Sequence, residues 1–367
     1  MSILTSIERH HVAITKFNAY SYLRALKEIF LFSYDYYIRG DGKNHAPINI
    51  ALFLTLKCNA KCSMCNVGAL LNKDKNDLTF EGIDKLLKEV SPYKPSITFF
   101  GGEPTIRKDF IEIAKRIKAY GMKCGIFTNG TLFTPELIKE IVDVEMSYVV
   151  FAMEGIGHKH DDILGIKGAY EKTLNAIKEF STYKNRKTKI MLHTTILEEN
   201  LDELGKIVEL GEELKVDLIR FGHPTYVAEE DVKINKQVMD KTFPGEHIDE
   251  VNYFYDPKEK ASIYFDKIKK FTNEYKGRFS MTPDLSLEEM KDWYSSKFKT
   301  SRKCYFVHRG AFIYPNGDVV PCEAFKYSVG NINEKPFLDI WNSEKFIKFR
   351  RSLKKGLFPG CARCTKT

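Results

Sequence analysis

Three cysteines crowd into eight residues in the stretch CNAKCSMC, at positions 58–65. Cys58, Cys62 and Cys65, called the loop triplet below, come directly after an apolar run, INIALFLTL. Thiolates are the usual ligands of iron–sulfur clusters, whereas a structural zinc site closes with four ligands, commonly as two separated pairs. Three thiols on one short loop therefore favour a four-iron cluster with one iron left open for chemistry, and zinc is the competing interpretation.

Four further cysteines lie near the C-terminus and are called the C-terminal quartet below: Cys304, Cys322, Cys361 and Cys364. The first two flank YPNGDVVPC, in which Asn-Gly favours a hairpin, and the last two form the pair CARC. Four thiolates suffice for one fully ligated four-iron cluster, or for a zinc ribbon with CARC as one pair. The remaining cysteine, Cys124, begins an apolar run and is interpreted as a buried core thiol.

The elements that position these cysteines follow from a regular alternation between residues 48 and 222. Continuous apolar strands that alternate with helices indicate a parallel sheet, and short right-handed crossovers curl it into a full or partial barrel. The predicted fold class is α/β, a partial (β/α)6 TIM-like barrel with a small C-terminal α+β cluster-binding domain. The strand-like runs are INIALFLTL, SITFFGGEP, MKCGIFTNG, SYVVFAMEG, KIMLHTTIL and VDLIRFG.

Polar motifs recur where these strands end, at the face of a barrel that carries active sites. After the second strand, Gly101-Gly102-Glu103 combines two glycines that permit close backbone approach to a ligand with a carboxylate that can accept bonds from an ammonium group. Thr128 and Asn129 follow the third strand, and Glu154 follows the fourth. His223, just past the sixth strand, is a weak candidate for a catalytic proton acceptor, and a structural histidine is the commoner case.

Residues 48–222 resemble the radical SAM superfamily, whose hallmark is the CxxxCxxC loop on a partial barrel of βα units. The resemblance implies that the open iron binds the amino and carboxylate groups of S-adenosylmethionine (SAM). Reductive cleavage of SAM would then give a 5′-deoxyadenosyl radical that abstracts hydrogen from a substrate. The family often has an aromatic residue where Met64 stands, Asp where Glu154 stands and Arg where Leu164 stands.

The same resemblance implies a set of SAM contacts. Glu103 would accept from the methionine amine, Glu154 would hold the ribose hydroxyls, and Met64 would pack on adenine. The expected SAM-binding residues are Met64, Gly101, Gly102, Glu103, Thr128, Asn129 and Glu154. The loop triplet is expected to ligate the SAM-binding 4Fe–4S cluster.

Residues 301–367 resemble the C-terminal appendage of the SPASM and twitch proteins, a subgroup of radical SAM enzymes. Fuller SPASM domains carry more cysteines for two auxiliary clusters, so the C-terminal quartet implies the twitch version, with one auxiliary 4Fe–4S cluster. A fully ligated cluster has no open iron, and its expected task is electron transfer or structure.

Two clusters suggest an oxidation in which a substrate radical loses a proton and an electron, and the auxiliary cluster accepts the electron. The result would be a dehydrogenation or bond formation, catalysed by a radical SAM oxidoreductase. The alternative is a redox-neutral epimerase, adduct-forming or peptide-modifying enzyme. A distant alternative, a basic zinc-binding nucleic-acid module, does not need a lone triplet followed by GGEP.

The chain divides by pattern into four predicted parts: an amphipathic helical segment at 1–47, the barrel at 48–225, a connector or substrate-covering insertion at 226–300 and the cluster domain at 301–367. The aromatic N-terminal segment is interpreted as a helix packed on the barrel, and an interfacial membrane helix or a lid over an apolar substrate is the alternative.

Composition narrows the class of protein and its partners. A net charge of +8 is a mild bias, without the long basic runs of a polyanion groove. The N-terminus lacks signal-peptide features and no run is long enough to span a bilayer. A cytoplasmic location is therefore expected, in which thiols stay reduced, with peripheral membrane contact through the N-terminal segment as the alternative. The expected partners are a flavodoxin- or ferredoxin-like electron donor and a small-molecule, lipid-linked or peptide substrate, with no nucleic acid.

Overall fold

One sheet of ten strands organises the part of the chain that the computed structural model describes, residues 19–73, 77–227, 229–248, 261–294 and 300–366. In chain order the strands are β1 Asn49–Thr55, β2 Ser96–Gly101, β3 Lys123–Thr128, β4 Tyr148–Ala152, β5 Lys189–Thr195, β6 Leu218–Gly222, β7 Ser280–Thr282, β8 Gly310–Ile313, β9 Asp318–Val320 and β10 Gly330–Asn331. They neighbour one another in the order β10-β9-β8-β1-β2-β3-β4-β5-β6-β7. All six predicted strands are present as β1–β6, and each pairs in parallel with the next.

Helices connect the strands as the alternating pattern predicts, which confirms the α/β class. Most cover one face of the sheet, where apolar residues of both layers form a single large core. The α-helices of the described residues are α1 Ala19–Ser33, α2 Phe80–Val90, α3 Phe110–Ala119, α4 Pro135–Asp143, α5 His158–Leu164, α6 Ala169–Thr182, α7 Leu204–Glu213, α8 Glu229–Thr242, α9 Ala261–Glu274, α10 Leu287–Trp293, α11 Phe337–Trp341 and α12 Glu344–Lys355.

Local sequence explains where the barrel helices begin and which face they bury. Thr79 caps α2 because its hydroxyl oxygen accepts from the amide of Gly82 at 3.1 Å, and Thr134 caps α4, which has Pro at its first position. In α2 the spacing of Ile83, Leu86, Leu87 and Val90 places all four in the core.

The segments outside the six predicted units extend the same sheet at both ends. Residues 226–300, expected to be weakly helical, contribute helices and also β7, which pairs in parallel with β6. The C-terminal segment contributes β8, which pairs in parallel with β1, and the hairpin partner β9. The cluster domain predicted at 301–367 is therefore continuous with the barrel sheet, because β8 lies beside the strand that leads into the loop triplet.

The N-terminal segment packs against the C-terminal part of the chain. After α1, a π-helical turn at Tyr34–Arg39 places the ring of Tyr36 5.2 Å from that of Tyr305. Farther along, Arg350 donates to the carbonyl of Gly42 at 3.0 Å. Residues 1–18 of the predicted helical segment lie outside the described residues. The chain is helical at 19–33 as expected, but Leu26, Ile29 and Phe30 are 45%, 42% and 66% exposed, so packing of this helix on the barrel and its contact with a membrane both stay predictions.

None of the helices within the described ranges has the length and apolar character needed to cross a bilayer.

Candidate active site

The loop triplet sits on a loop that is fixed at both ends. The carbonyl of Cys58 accepts from the side-chain amide of Asn72 at 3.2 Å, and the amide of Cys58 donates to the Asn72 side-chain oxygen at 3.0 Å. In the middle of the loop, the amides of Lys61 and Ser63 donate to carbonyls at the end of α5, at 2.9 and 3.0 Å. The backbone around the three thiols is therefore held by hydrogen bonds and does not depend on a ligand for its shape.

The three thiols are close enough to influence one another's ionisation. Burial raises the pKa of Cys58 to about 11, and the charges of Glu103 and Cys65 contribute to the increase. Burial also raises the pKa values of Cys62 and Cys65, and the charges of Cys65 and Cys58 add to the increase at Cys62. Bound iron would offset this cost, because it stabilises the thiolate forms.

The spacing of these thiols bears on the zinc alternative. In a 4Fe–4S cluster each thiolate binds a different iron, so three thiols can serve three irons without converging on a single point. A structural zinc site instead needs four ligands on one ion. The loop triplet supplies three thiols, and this donor set matches a 4Fe–4S cluster with one open iron.

Gly101 and Gly102 bring the second βα loop against the loop triplet. A Cβ on Gly101 would lie 2.1 Å from the carbonyl oxygen of Thr55, and one on Gly102 would lie 2.2 Å from that of Lys57. Gly101 also has φ of 131°, which L side chains rarely adopt. These glycines therefore allow the second βα loop to approach the backbone at Thr55 and Lys57 closely, and their approach to a ligand stays a prediction.

Glu103 accepts hydrogen bonds from three residues of this region, Thr105, Thr128 and Asn129. It is 1% exposed, and burial raises its pKa. Its Oε1 accepts from the amide and hydroxyl of Thr105, at 3.2 and 2.6 Å, and from the hydroxyl of Thr128 at 2.9 Å. Its Oε2 accepts from the amide of Asn129 at 2.8 Å. Because a carboxylate oxygen has two lone pairs, Oε2 retains a position for one more donor, as the prediction of an ammonium ligand requires.

Thr128 and Asn129 orient Glu103, and Asn129 also secures the loop triplet. Asn129 donates from its side-chain amide to Asn59, the residue after Cys58, at 3.0 Å, and Asn59 donates to Thr131 at 2.9 Å. Asn59 and Thr131 were not among the predicted site residues. Their nearness in the chain to Cys58 and Asn129 is the sequence signal that points to them.

Glu154 lies in a second buried polar group, at the end of β4. Its Oε2 accepts from the amide of Thr195 at 2.7 Å, its amide donates to Nδ1 of His160 at 3.0 Å, and its carbonyl accepts from Asn200 at 2.8 Å. Burial raises the pKa of Glu154 to about 8. Of these partners, Thr195 belongs to the predicted strand KIMLHTTIL, and neither His160 nor Asn200 was among the predicted site residues.

Met64 packs in a separate apolar cluster with Cys62, Ile166 and the buried side chains of Ile163 and Leu164. Leu164, which stands where the resembling family has Arg, is fully buried here. Leu164 therefore contributes apolar packing to the loop that carries Met64, at a position where an arginine would place a charged group.

The C-terminal quartet is also brought together. Burial raises the pKa of Cys364 to about 11, and it raises that of Cys361 well above the usual range, with the charges of the other three thiols adding to the effect at Cys361. The pKa values of Cys304 and Cys322 are raised by burial too. All eight cysteines of the chain are free thiols, and Cys124 is fully buried in the core as expected.

An apolar cluster lies beside the loop triplet. Phe53, Val67, Phe312 and Val320 belong to its buried part, and Cys65 and Phe306 pack on it. A small cavity is lined by Asn66, which follows Cys65, and by Cys322 and Cys364. Two cysteines of the quartet thus share a cavity with a residue of the loop that carries the triplet.

The inner face of the barrel carries a run of aromatic rings. Phe53 stacks on Tyr314 at 4.6 Å and lies 6.0 Å from Phe100, which stacks on Phe127 at 4.6 Å. Farther along the sheet, on β6, stands Arg220, whose pKa is lowered by burial. Among the ion pairs of the described part of the chain, none involves Arg220.

His223 was predicted to lie at the mouth of the site. The structure instead buries it to 1% exposure, with Nδ1 2.7 Å from the hydroxyl of Tyr294 and its ring 5.8 Å from that of Trp293. Burial lowers its pKa to about 3. Its role as a proton acceptor stays a prediction, and this packing favours the structural alternative.

Two family models match the chain. Residues 52–211 match the Radical SAM superfamily, and residues 304–365 match the SPASM model, described as an iron–sulfur cluster-binding domain. The cofactors of such proteins are SAM, the 4Fe–4S cluster that binds it and further iron–sulfur clusters in the SPASM domain. The resemblance and the cofactors expected from the sequence are confirmed.

Relatives match over most of the length. An Fe-coproporphyrin III synthase of Methanosarcina barkeri is 28% identical over 88% of this chain and 82% of its own. An AdoMet-dependent heme synthase of the same organism is 27% identical over 83% of this chain and 85% of its own. Among solved structures, Streptococcus suis SuiB bound to its precursor peptide SuiA has a TM-score of 0.64 at 16% identity, over 92% of this chain and 73% of that one. That likeness shows the fold.

Proposed function

This chain is a radical SAM enzyme with a C-terminal SPASM domain, and from that premise we propose that its two cysteine sets hold two 4Fe–4S clusters with different tasks. The loop triplet ligates the cluster that binds SAM and leaves one iron open. The C-terminal quartet ligates one auxiliary cluster with no open position. The observation that supports the proposal most directly is the small cavity that Cys322 and Cys364 share with Asn66, because it brings the quartet near the loop that carries the triplet.

When bound, SAM and its cluster supply a 5′-deoxyadenosyl radical for hydrogen abstraction. The chain's own residues bind and orient SAM. Oε2 of Glu103 accepts from its amino group, in addition to the amide of Asn129. Glu154 has one carboxylate oxygen held by Thr195 and presents the other to the ribose hydroxyls. Met64 contributes an apolar surface for the adenine.

The net reaction is an oxidation, in which the substrate loses hydrogen, and the auxiliary cluster serves as electron acceptor. The apolar cluster around Phe53 and Phe312, whose rings lie 5.9 Å apart, supports this assignment, because Cys65 packs on the cluster and Lys366, two residues from Cys364, lies over the ring of Phe312. A redox-neutral reaction, with the auxiliary cluster as a structural element, is the alternative.

The substrate is a small molecule, and a carboxylated tetrapyrrole fits best. The relatives that match more than four fifths of the chain include enzymes named for heme and iron coproporphyrin. The aromatic inner face offers stacking to a flat ring, and Arg220 offers its guanidinium to a carboxylate. A modified peptide is the second candidate, supported by the likeness in fold to SuiB bound to SuiA.

Anaerobic reconstitution tests the first half of the proposal. With SAM and dithionite, the wild-type protein should form 5′-deoxyadenosine, and replacing the loop triplet with Ala should abolish this activity and remove one cluster's iron. Cys124→Ala is the matched control, because Cys124 belongs to neither set. A triplet variant that forms 5′-deoxyadenosine at the wild-type rate would refute the assignment.

The substrate and the oxidation need a separate assay. Iron coproporphyrin III should be converted, with a loss of hydrogen detected by mass spectrometry and one 5′-deoxyadenosine formed per hydrogen abstracted. Replacing Cys361 and Cys364 with Ala should stop this conversion while some uncoupled SAM cleavage persists. Normal conversion by a folded variant that lacks the auxiliary iron would argue for the redox-neutral alternative.

A further inference from the structure

We propose that Lys366 sets the reduction potential of the auxiliary cluster and thereby its ability to accept an electron. This inference rests on the proposed function, in which the C-terminal quartet holds that cluster. The observation behind it is an ammonium group held by an ion pair beside the cavity that Cys322 and Cys364 line.

Lys366 is held against the quartet by both its backbone and its side chain. Its amide donates to Sγ of Cys364 at 3.4 Å. Its ammonium group pairs with Glu323, the neighbour of Cys322, and lies 4.4 Å from the ring centre of Phe312 and 5.3 Å from that of Phe306. The side chain is only 28% exposed. A lysine on a free surface would sample many positions, whereas this one is confined by an ion pair and two cation–π contacts.

Lys366 and its partner Glu323 line the same small cavity as Cys322 and Cys364. Lys366 also makes a contact beyond its charge, because its backbone N–H donates to Sγ of Cys364. The charged group and a backbone donor of Lys366 therefore both lie beside thiols of the quartet.

A nearby cation has a definite effect on a cluster bound by thiolates. Reduction adds one negative charge, and the potential of an iron–sulfur cluster depends on its net charge, on hydrogen bonds to its sulfurs and on its exposure. Lys366 supplies a positive charge and a backbone N–H to Cys364, and both favour the reduced state. Its ammonium also lies over the ring of Phe312, which belongs to the apolar cluster on which Cys65 packs.

The test is an EPR-monitored redox titration of the anaerobically reconstituted protein. Lys366→Met should lower the midpoint of the auxiliary cluster, by about 59 mV for a tenfold change in the one-electron equilibrium. Lys366→Arg should restore most of the shift, and Glu323→Gln should move the midpoint upward. Lys115→Met, which removes an exposed lysine of α3, is the charge control and should leave the midpoint unchanged.

The outcomes separate this inference from the function on which it rests. A Lys366→Met midpoint equal to that of the wild type, at equal iron content, overturns the inference and leaves the auxiliary cluster in place. If Lys366→Met loses iron, the Glu323→Gln titration decides: an upward shift supports the inference, and an unchanged midpoint overturns it. A wild-type protein that binds only one cluster would overturn the proposed function, and the inference with it.

Discussion

Replacing Glu103 with Gln is the sharpest test of the SAM site, because it removes the charge and keeps the shape. The glutamine oxygen can still accept from Thr105 and Thr128, as Oε1 of Glu103 does. What is lost is the charged Oε2, which accepts from the amide of Asn129 and has one position left for a ligand. Glu103→Ala would be a poorer test, since it would leave all of these buried donors without an acceptor.

The expected magnitude follows from these bonds. A hydrogen bond to a charged group contributes roughly 1.5–3 kcal/mol, so the affinity for SAM should fall about ten- to a hundredfold. The amide of Asn129 would face the NH₂ group of the introduced glutamine and lose its acceptor, which should lower the free energy of unfolding by roughly 1–3 kcal/mol. Both effects come from one oxygen atom, and they are measured separately.

Calorimetric titration with SAM, on anaerobically reconstituted protein of known iron content, measures the first effect. Urea denaturation followed by circular dichroism measures the second. Glu112→Gln on α3 is the control, since Glu112 is exposed and its replacement removes the same charge far from any predicted site residue. Unchanged SAM affinity in Glu103→Gln, at wild-type iron content, would refute the assignment. Loss of iron together with affinity would show that Glu103 holds the loop triplet in place instead.

Three other substitutions test the surroundings of the site. Gly102→Ala should displace the loop triplet, because the added Cβ would lie 2.2 Å from the carbonyl oxygen of Lys57. Iron analysis should then show less iron bound at the triplet, and full iron content would contradict this prediction. Arg350→Met should lower the free energy of unfolding, measured in urea, by about 3 kcal/mol, because it leaves the buried carbonyls of Val307 and Gly42 without a donor. A loss below about 1 kcal/mol would mean that water takes the place of the guanidinium as donor. His223→Asn should preserve substrate conversion if the residue is structural, and selective loss of conversion with normal SAM cleavage would establish it as the proton acceptor.

Much of the chemistry is visible in the sequence because it depends on residue type and short spacing. The loop triplet follows an apolar run, and the buried strand that the run forms fixes which end of the sheet the thiols occupy. The alternation of strands and helices predicts the parallel sheet for the same reason, since buried strands need an apolar residue at nearly every position. These features are local, and no distant contact reverses them.

The role of a residue within the site is harder to predict from the sequence, because it depends on which residues the fold packs against it. Gly101 and Gly102 suggest a ligand, yet the atoms that require them to be glycine are the carbonyls of Thr55 and Lys57. His223 suggests a proton acceptor, yet Tyr294, far along the chain, packs against it and helps to bury it. Sequence spacing carries no information about such partners, since packing alone brings them together.

The sequence by itself determined the cofactor chemistry: a cysteine triplet with a missing fourth ligand, a quartet that closes on itself and a carboxylate one βα unit away. Only the tertiary structure decided how the two cysteine sets are related. β8 joins the sheet beside β1 and so brings the hairpin that leads to Cys322 next to the strand that leads into the triplet, with Lys366 held between Glu323 and Phe312. That arrangement depends on pairing between strands that lie far apart in the chain. Which strands become parallel neighbours is determined by shape and burial over the whole sheet, and not by the residues near each cysteine.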